Sequence, residues 1–230
     1  VINRVIVLHD RETQSIWLQE TYHEYNIENI VLVGGESSDI DYPGPSVTEG
    51  NRLVKEEINA DDSGEQTTNF RVGNICIASR RQKSLDEPER MTKKIRAGAD
   101  FFTTQIVFEE DHALQLMEDL SRKLDYEKIA PPFLFWSLSP VSEQKDIDFL
   151  RWLGVKISEE TEDMLLEDPE TVQASTRHAK QIWEKIQAKN DELAVPFPLG
   201  INISFMGERN FKNAIHLTRE LEKITNAPIC

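Results

Sequence analysis

The sequence predicts an α/β fold of the TIM-type (β/α)8 barrel class, with parallel strands that alternate with helices. Short apolar runs are separated by longer amphipathic segments throughout the 230 residues, which is typical of a parallel sheet covered by helices. Six clear strands are predicted, whereas a complete eight-fold barrel usually takes about 250 residues. We therefore expect a single barrel domain over residues 1–230 that lacks the first one or two strand–helix units.

Local signals support the individual elements. Asp10 precedes the first helix and is a residue type that caps helix N-termini. Pro88 falls in the first turn of a later helix, and Gly98 ends that helix where a left-handed cap is favoured. The predicted strands are residues 1–8, 29–33, 70–78, 101–108, 130–138 and 199–206, with a short strand or extended link at 155–157. The predicted helices are approximately residues 12–25, 46–58, 86–97, 110–124, 143–153, 158–166, 168–189 and 211–225.

The composition restricts the partners and the compartment. A formal net charge of −15 argues against nucleic acid and an anionic membrane surface as the main partners. Every apolar run is shorter than the roughly 20 residues that span a bilayer, and the N-terminal residues lack a secretory pattern, so we predict a cytoplasmic protein. Cys76 and Cys230 are too few for a disulfide framework and are expected to be reduced thiols.

Common catalytic and metal-binding patterns are absent from the sequence. It contains neither Cys-x-x-Cys nor His-Glu-x-x-His, so no metal site is predicted. The phosphate-binding Gly-x-x-x-x-Gly-Lys loop, the Gly-x-Gly-x-x-Gly fingerprint and the Gly-x-Ser-x-Gly elbow are also missing.

Polar side chains gather instead where the predicted strands end, which is where α/β barrels form their sites. Gln105 stands out because a polar amide in an apolar strand is costly unless it has a partner. Trp136 also lies near a strand end and either packs in the core or stacks on a ligand. The strand-end candidates are His9-Asp10, Gly35-Glu36, Ser79-Arg80-Arg81, Gln105 with Glu109, residues 139–142 and Glu208-Arg209. Such a set suits a polar heterocycle with a carboxylate or phosphate tail.

The segment from Lys93 to Glu109 resembles the K-x-DAGAD-x-x-x-TQ-x-F-F-(D/E) signature of the methylenetetrahydrofolate reductase family. The matching residues are Lys94, Ala97-Gly98-Ala99-Asp100, Thr104-Gln105, Phe108 and Glu109. Other segments are also similar to the family: residues 30–36, 72–79, 138–142, 153–157 and 199–210. The resemblance implies a flavin-dependent α/β barrel of one-carbon metabolism.

This resemblance implies an oxidoreductase that reduces 5,10-methylenetetrahydrofolate to 5-methyltetrahydrofolate for methionine biosynthesis. It implies FAD as the cofactor, a folate or pterin substrate, NAD(P)H or a protein partner as the electron donor, and possible self-association into a homo-oligomer. The implied cofactor-binding residues are Gly35, Glu36, Gly50, Ser79, Arg80, Glu87 and Lys94, and the implied folate-binding residues are Glu36, Gln105 and Arg209. No catalytic residue is assigned, because the family's catalytic glutamate lies on a first barrel strand that has no counterpart here.

Two departures from the family pattern leave alternatives open. Residues 79–84 replace the Tyr-Pro-Glu-x-His-Pro-Glu loop that holds the dinucleotide part of FAD, and Glu36 stands where the family has Asp. One alternative is a pterin- or folate-binding barrel without flavin, and another is a subunit of a larger redox or methyl-transfer complex. A bound flavin separates the reductase from both alternatives.

Overall fold

The computed structural model describes residues 1–35, 40–60, 68–80, 86–205 and 207–229. The strands in these ranges are β1 (Ile2–Val5), β2 (Asn29–Val33), β3 (Arg71–Cys76), β4 (Phe101–Thr104), β5 (Phe133–Leu138) and β6 (Leu199–Ile203). The helices are α1 (Arg11–Tyr25), α2 (Val47–Arg52), α3 (Glu87–Arg96), α4 (Glu110–Glu127), α5 (Gln144–Trp152), α6 (Glu159–Leu166), α7 (Thr171–Asp191) and α8 (Glu208–Glu222). A π-helical turn, Leu53–Ile58, continues α2.

The chain divides into two compact units. The first unit consists of Val1–Cys76 and Glu89–Phe102, and the second of Ile77–Pro88 and Thr103–Cys230. In the first unit β2 pairs in parallel with both β1 and β3, and in the second unit β5 pairs in parallel with β6. The predicted α/β barrel class is confirmed, while the extent of a single domain stays a prediction. In the part of the chain that is described, no helix is both long and apolar enough to cross a membrane.

The core of the first unit lies between its strands and helices α1 and α2. Ile30 and Leu32 of β2 pack with Leu18 of α1 and with Leu53, which follows α2. A fully buried pair of carboxamides accompanies this apolar cluster: Asn51 Nδ2 donates to Asn74 Oδ1 at 2.8 Å, and Asn74 Nδ2 donates back to Asn51 Oδ1 at 3.1 Å. Each amide therefore satisfies the other where water is excluded.

The Ala-Gly-Ala-Asp part of the family signature has a structural role in the first unit. Gly98 ends α3 with a φ of 103°, and a Cβ there would lie 2.5 Å from Cγ of Lys55, so only glycine fits without strain. Asp100 Oδ2 accepts the Val72 N–H at 2.6 Å and pairs with Lys55 Nζ at 2.8 Å. The signature thus fixes the helix-to-strand turn against the start of β3.

All strands except β2 are shorter than the sequence predicted, and β1 and β4 are shortened most. β1 ends at Val5, because the Val7 carbonyl accepts the Gly44 N–H at 2.9 Å and the chain turns into a single 3-10 turn. β4 ends at Thr104 rather than at Phe108, because Phe108 leaves the sheet to pack among residues of the second unit's helices such as Leu165. Residues 155–157 form the extended link that was the alternative to a strand.

The buried carboxamide pair gives a stability prediction. Asn51→Ala leaves the buried Asn74 carboxamide oxygen without its donor, while Asn74 Nδ2 keeps the Gly73 and Leu32 carbonyls. The free energy of unfolding should therefore fall by about 1–3 kcal/mol. Urea unfolding followed by circular dichroism measures this loss. Asn226→Ala, at an exposed position, is the control and should change stability by less than about 0.5 kcal/mol. Equal effects of the two substitutions would contradict the role given to the pair.

Candidate functional site

A connected set of polar side chains lies at the carboxyl ends of strands in the second unit. The Ser137 N–H donates to Thr104 Oγ1 at 2.9 Å, and the Ser137 hydroxyl donates to the Thr104 carbonyl at 2.6 Å. Asn202 Nδ2 donates to Ser137 Oγ at 2.9 Å and to Ser204 Oγ at 3.2 Å. Thr103 Oγ1 lies 3.5 Å from Ser137 Oγ. The network ties β4, β5 and β6 together and holds its members in fixed orientations.

Gln105 follows β4 directly and is half-buried. Its Nε2 donates to the Leu153 carbonyl at 2.8 Å, which gives the amide the partner that its position in an apolar run required. The carboxamide oxygen is left for a ligand, since it has no hydrogen-bond partner among the described residues. Gly154, with a φ of 80°, forms the turn next to this contact.

A small, shallow pocket of about 20 Å³ opens beside Gln105. Its lining residues are Ala78, Ser79, Gln105, Ile106, Val107, Phe108, Glu109, His112 and Lys156. Two of the predicted site residues, Ser79 and Gln105, are therefore brought together, and Glu109 joins them. His112 and Lys156 are additional polar groups that the sequence analysis did not select.

Arg80 and Glu87, both predicted to hold the cofactor, are paired with each other. Glu87 is fully buried, and its Oε1 accepts the Ile77 N–H at 2.9 Å while its Oε2 accepts from Arg80 Nη1 at 3.0 Å. The pair fixes the described part of the loop after β3. Arg81, the other arginine among the strand-end candidates, lies outside the described residues.

Three predicted cofactor residues belong to the first unit. Lys94 Nζ donates to the Ile75 carbonyl at 2.7 Å and lies 6.0 Å from the centre of the Phe102 ring. Gly50 is buried, and a Cβ there would lie 2.8 Å from the Ile6 side chain, so its role is close packing of α2. A Cβ at Gly35 would meet the Tyr42 ring at 2.2 Å. Glu36, predicted to contact both cofactor and folate, lies outside the described residues.

Arg209 forms ion pairs instead of standing free at the strand ends. Its Nη1 lies 2.8 Å from Glu143 Oε1 and its Nη2 lies 2.7 Å from Asp146 Oδ1. Asp146 is fully buried and also accepts the N–H and hydroxyl of Ser142 at 2.8 and 2.7 Å. Burial alone would raise the pKa of Asp146, but the hydrogen bonds from Ser142 and the charge of Arg209 hold that pKa below its usual value. This cluster joins the start of α8 to the loop after β5.

Trp136 is fully buried, so its ring is not accessible for stacking on a ligand, which was one of its two predicted roles. Its indole is therefore a packing group, the other alternative that the sequence left open. The polar network of Thr103, Ser137, Asn202 and Ser204 was missed. The signal that selected Gln105, a polar residue inside an apolar strand, is also present at Ser137 and Asn202 and would have found both.

These features define an α/β-barrel protein with a polar site at the carboxyl ends of its strands. The family model described as methylenetetrahydrofolate reductase matches residues 68–192, more than half of the 230-residue chain. The chain belongs to the methylenetetrahydrofolate reductase family. The matched range contains Gln105, Ser137 and the whole pocket beside Gln105.

Solved structures with a similar fold share little sequence with the chain. An uncharacterized protein from Clostridium thermocellum, described as binding two copies of 5-methyl-5,6,7,8-tetrahydrofolic acid, is 17% identical with a TM-score of 0.61. That similarity covers 98% of this chain and 96% of the Clostridium protein. A putative phosphonomutase from Burkholderia cenocepacia J2315 is 14% identical with a TM-score of 0.42, over 98% of this chain and 86% of its own. No curated protein shows a significant sequence match.

The buried Asp146 carboxylate gives a pH-dependent stability prediction. Asp146→Asn removes the charge that Arg209 and Ser142 stabilise and should lower the free energy of unfolding by about 2 kcal/mol near neutral pH. Because the pKa of Asp146 is lowered in the folded protein, its stabilisation is complete above the unfolded value of about 3.9 and is lost as the pH falls through the folded value. The difference between wild type and variant should therefore narrow below about pH 5.

Urea unfolding at several pH values measures this difference. Asp148→Asn, on the exposed side of the same helix, is the matched control and should have a small effect. A difference that stays constant down to acidic pH, or an equal loss in the control, would show that the Asp146 charge is not what stabilises the cluster.

Proposed function

We propose that the chain binds a reduced folate at the strand ends of the second unit. The observation that carries the proposal is the Gln105 amide, which is anchored through Nε2 and has its oxygen available. The network of Ser137 and Asn202 holds Thr104, the residue that precedes Gln105. The Clostridium thermocellum protein of similar fold is described as binding 5-methyl-5,6,7,8-tetrahydrofolic acid. The proposal extends this ligand class to the present chain, whose family also acts on folates.

The chemistry of these groups suits a pterin ring. A pterin presents N–H donors and a carbonyl acceptor along one edge, and a carboxamide oxygen can accept from such donors. Because Ser137 and Asn202 hold Thr104 in place, the backbone that carries Gln105 is fixed before a ligand binds, and little backbone freedom is lost on binding. A ligand without these polar groups would leave Gln105 unsatisfied, and this favours selectivity for the heterocycle.

Two candidate activities follow from folate binding. Family membership supports the flavin-dependent reduction of 5,10-methylenetetrahydrofolate to 5-methyltetrahydrofolate, with NAD(P)H or a protein as electron donor. The second candidate is folate binding without flavin, in a methyl-transfer or larger redox complex. The contacts that the predicted flavin-binding residues make in the structure bear on the choice between these two activities.

The described residues fit a flavin poorly. Glu87 is fully buried and its carboxylate is engaged by Ile77 and Arg80. The Lys94 ammonium donates to a backbone carbonyl of its own unit, and the space next to Gly50 is filled by Ile6. These contacts favour the second candidate, and no reaction step is assigned to a flavin here.

An absorption spectrum of the purified protein, repeated during titration with FAD and FMN, tests the flavin directly. We expect a colourless protein that leaves the flavin spectrum unchanged and still binds 5-methyltetrahydrofolate. A bound flavin whose visible bands bleach when 5-methyltetrahydrofolate is added would establish the reductase and overturn the flavin-free candidate.

Gln105→Ala tests the folate site itself. The variant loses the ligand contact and should bind 5-methyltetrahydrofolate about tenfold more weakly, the effect expected for one buried hydrogen bond. Isothermal titration calorimetry measures the affinity, and thermal unfolding checks that the loop at Leu153 has not collapsed. Gln19→Ala, at an exposed position on α1, should bind like the wild type. Unchanged affinity in a folded Gln105→Ala variant would overturn the site assignment.

A further inference from the structure

We propose that Lys156 and His112 form a subsite for the glutamate carboxylates of the folate. This inference rests on the proposed folate binding at Gln105 and assigns the part of the ligand that extends from the pterin. Both side chains line the pocket that Gln105 also lines. A carboxylate tail is the one strongly anionic part of a reduced folate, so a lysine beside the ring site is its natural partner.

The fold directs Lys156 toward this pocket. Its neighbours Val155 and Ile157 are buried, at 4% and 8% exposure, and both belong to the cluster that contains Phe108 and Leu165. Alternate residues of an extended segment point in opposite directions. Burial of the two flanking side chains therefore turns Lys156 away from the core and toward the pocket.

The link that carries Lys156 is fastened at both ends by residues that follow β4. Gln105 donates to the Leu153 carbonyl at 2.8 Å, and Glu109 Oε1 accepts the Ser158 N–H at 2.8 Å. Lys156 lies midway between these two contacts. The backbone that carries the lysine is thereby held next to the ring site before any ligand arrives, so binding orders only the lysine side chain.

Lys156 differs from most of the described lysines in having no acidic partner. Lys185 pairs with Glu110, and Lys189 with Glu118. In the described ranges Lys156 makes no ion pair or hydrogen bond, although the chain carries a net charge of −15. An unpaired ammonium in so acidic a chain is available for an anionic ligand.

The other polar groups of the pocket complete the subsite. His112 is half-buried on the first turn of α4, and its ring offers an N–H donor in either tautomer. The Ser79 hydroxyl, which also lines the pocket, is a further donor. Glu109 also lines the pocket. Its negative charge repels a ligand carboxylate and so reduces the affinity gained from Lys156.

Three ligands with the same pterin and different tails test the subsite. They are 5-methyltetrahydropteroate as its neutral amide, which carries no carboxylate, 5-methyltetrahydrofolate and its triglutamate form. We expect the wild type to bind the folate about fivefold more tightly than the pteroate amide, and Lys156→Gln to lose this advantage while its affinity for the pteroate amide is unchanged. His112→Ala should bind the folate only about twofold more tightly than the pteroate amide, which is half of the wild-type difference in binding free energy. Isothermal titration calorimetry measures all the affinities.

Two further variants make the test specific. Lys212→Gln removes an equally exposed lysine from α8 and should keep the full advantage of the folate. Glu109→Gln retains the acceptor for the Ser158 N–H but removes the opposing charge, so it should bind the triglutamate about twofold more tightly.

The outcomes separate this inference from the proposed function. If the wild type binds the pteroate amide and the folate equally well, or if Lys156→Gln keeps the preference for the folate, the subsite is overturned and folate binding at Gln105 stands. If the wild type binds none of the three ligands, the proposed function fails and the subsite fails with it.

Discussion

Side-chain hydrogen bonds replace the backbone ladder where β4 ends, and the candidate site depends on this replacement. Ser137 donates two hydrogen bonds to Thr104: its backbone N–H donates to the Thr104 hydroxyl, and its hydroxyl donates to the Thr104 carbonyl. One residue later Gln105 reaches the Leu153 carbonyl, and Glu109 then binds the Ser158 N–H. The chain leaves the sheet early and is still held in place, because Thr104, Gln105 and Glu109 each have a hydrogen-bond partner.

Such an arrangement suits binding better than a longer strand would. A continued ladder would use the backbone groups and point side chains alternately to both faces. The observed path instead places one amide, one carboxylate and five of the nine pocket-lining residues in a single segment, from Gln105 to Glu109. The polar groups are fixed by contacts within the second unit, so the site is built before a ligand binds.

The sequence predicted the element order because apolar periodicity and capping residues are local signals. Asp10 caps α1 through a 2.8 Å hydrogen bond from the Thr13 N–H, and Ser158 caps α6. Gln105 could be selected because its polarity conflicts with its apolar surroundings. Local signals could not predict the partners of Glu87, Lys94 and Arg209. Arg209 and Asp146, for example, are 63 residues apart in the chain, and the residues around each of them give no sign of the pairing. The predicted roles of Gly35 and Glu36 toward a cofactor remain predictions.

The alternation of Val155, Lys156 and Ile157 also bears on how relatives of this protein could diverge. The two buried residues carry the packing, while the residue between them contributes nothing to the core. Substitution at position 156 should therefore leave the fold intact, unlike substitution at either neighbour. Selection can change the charge presented there in a single mutational step, so under the proposed function the preference for ligand tails can change among homologues while the proposed pterin site stays constant.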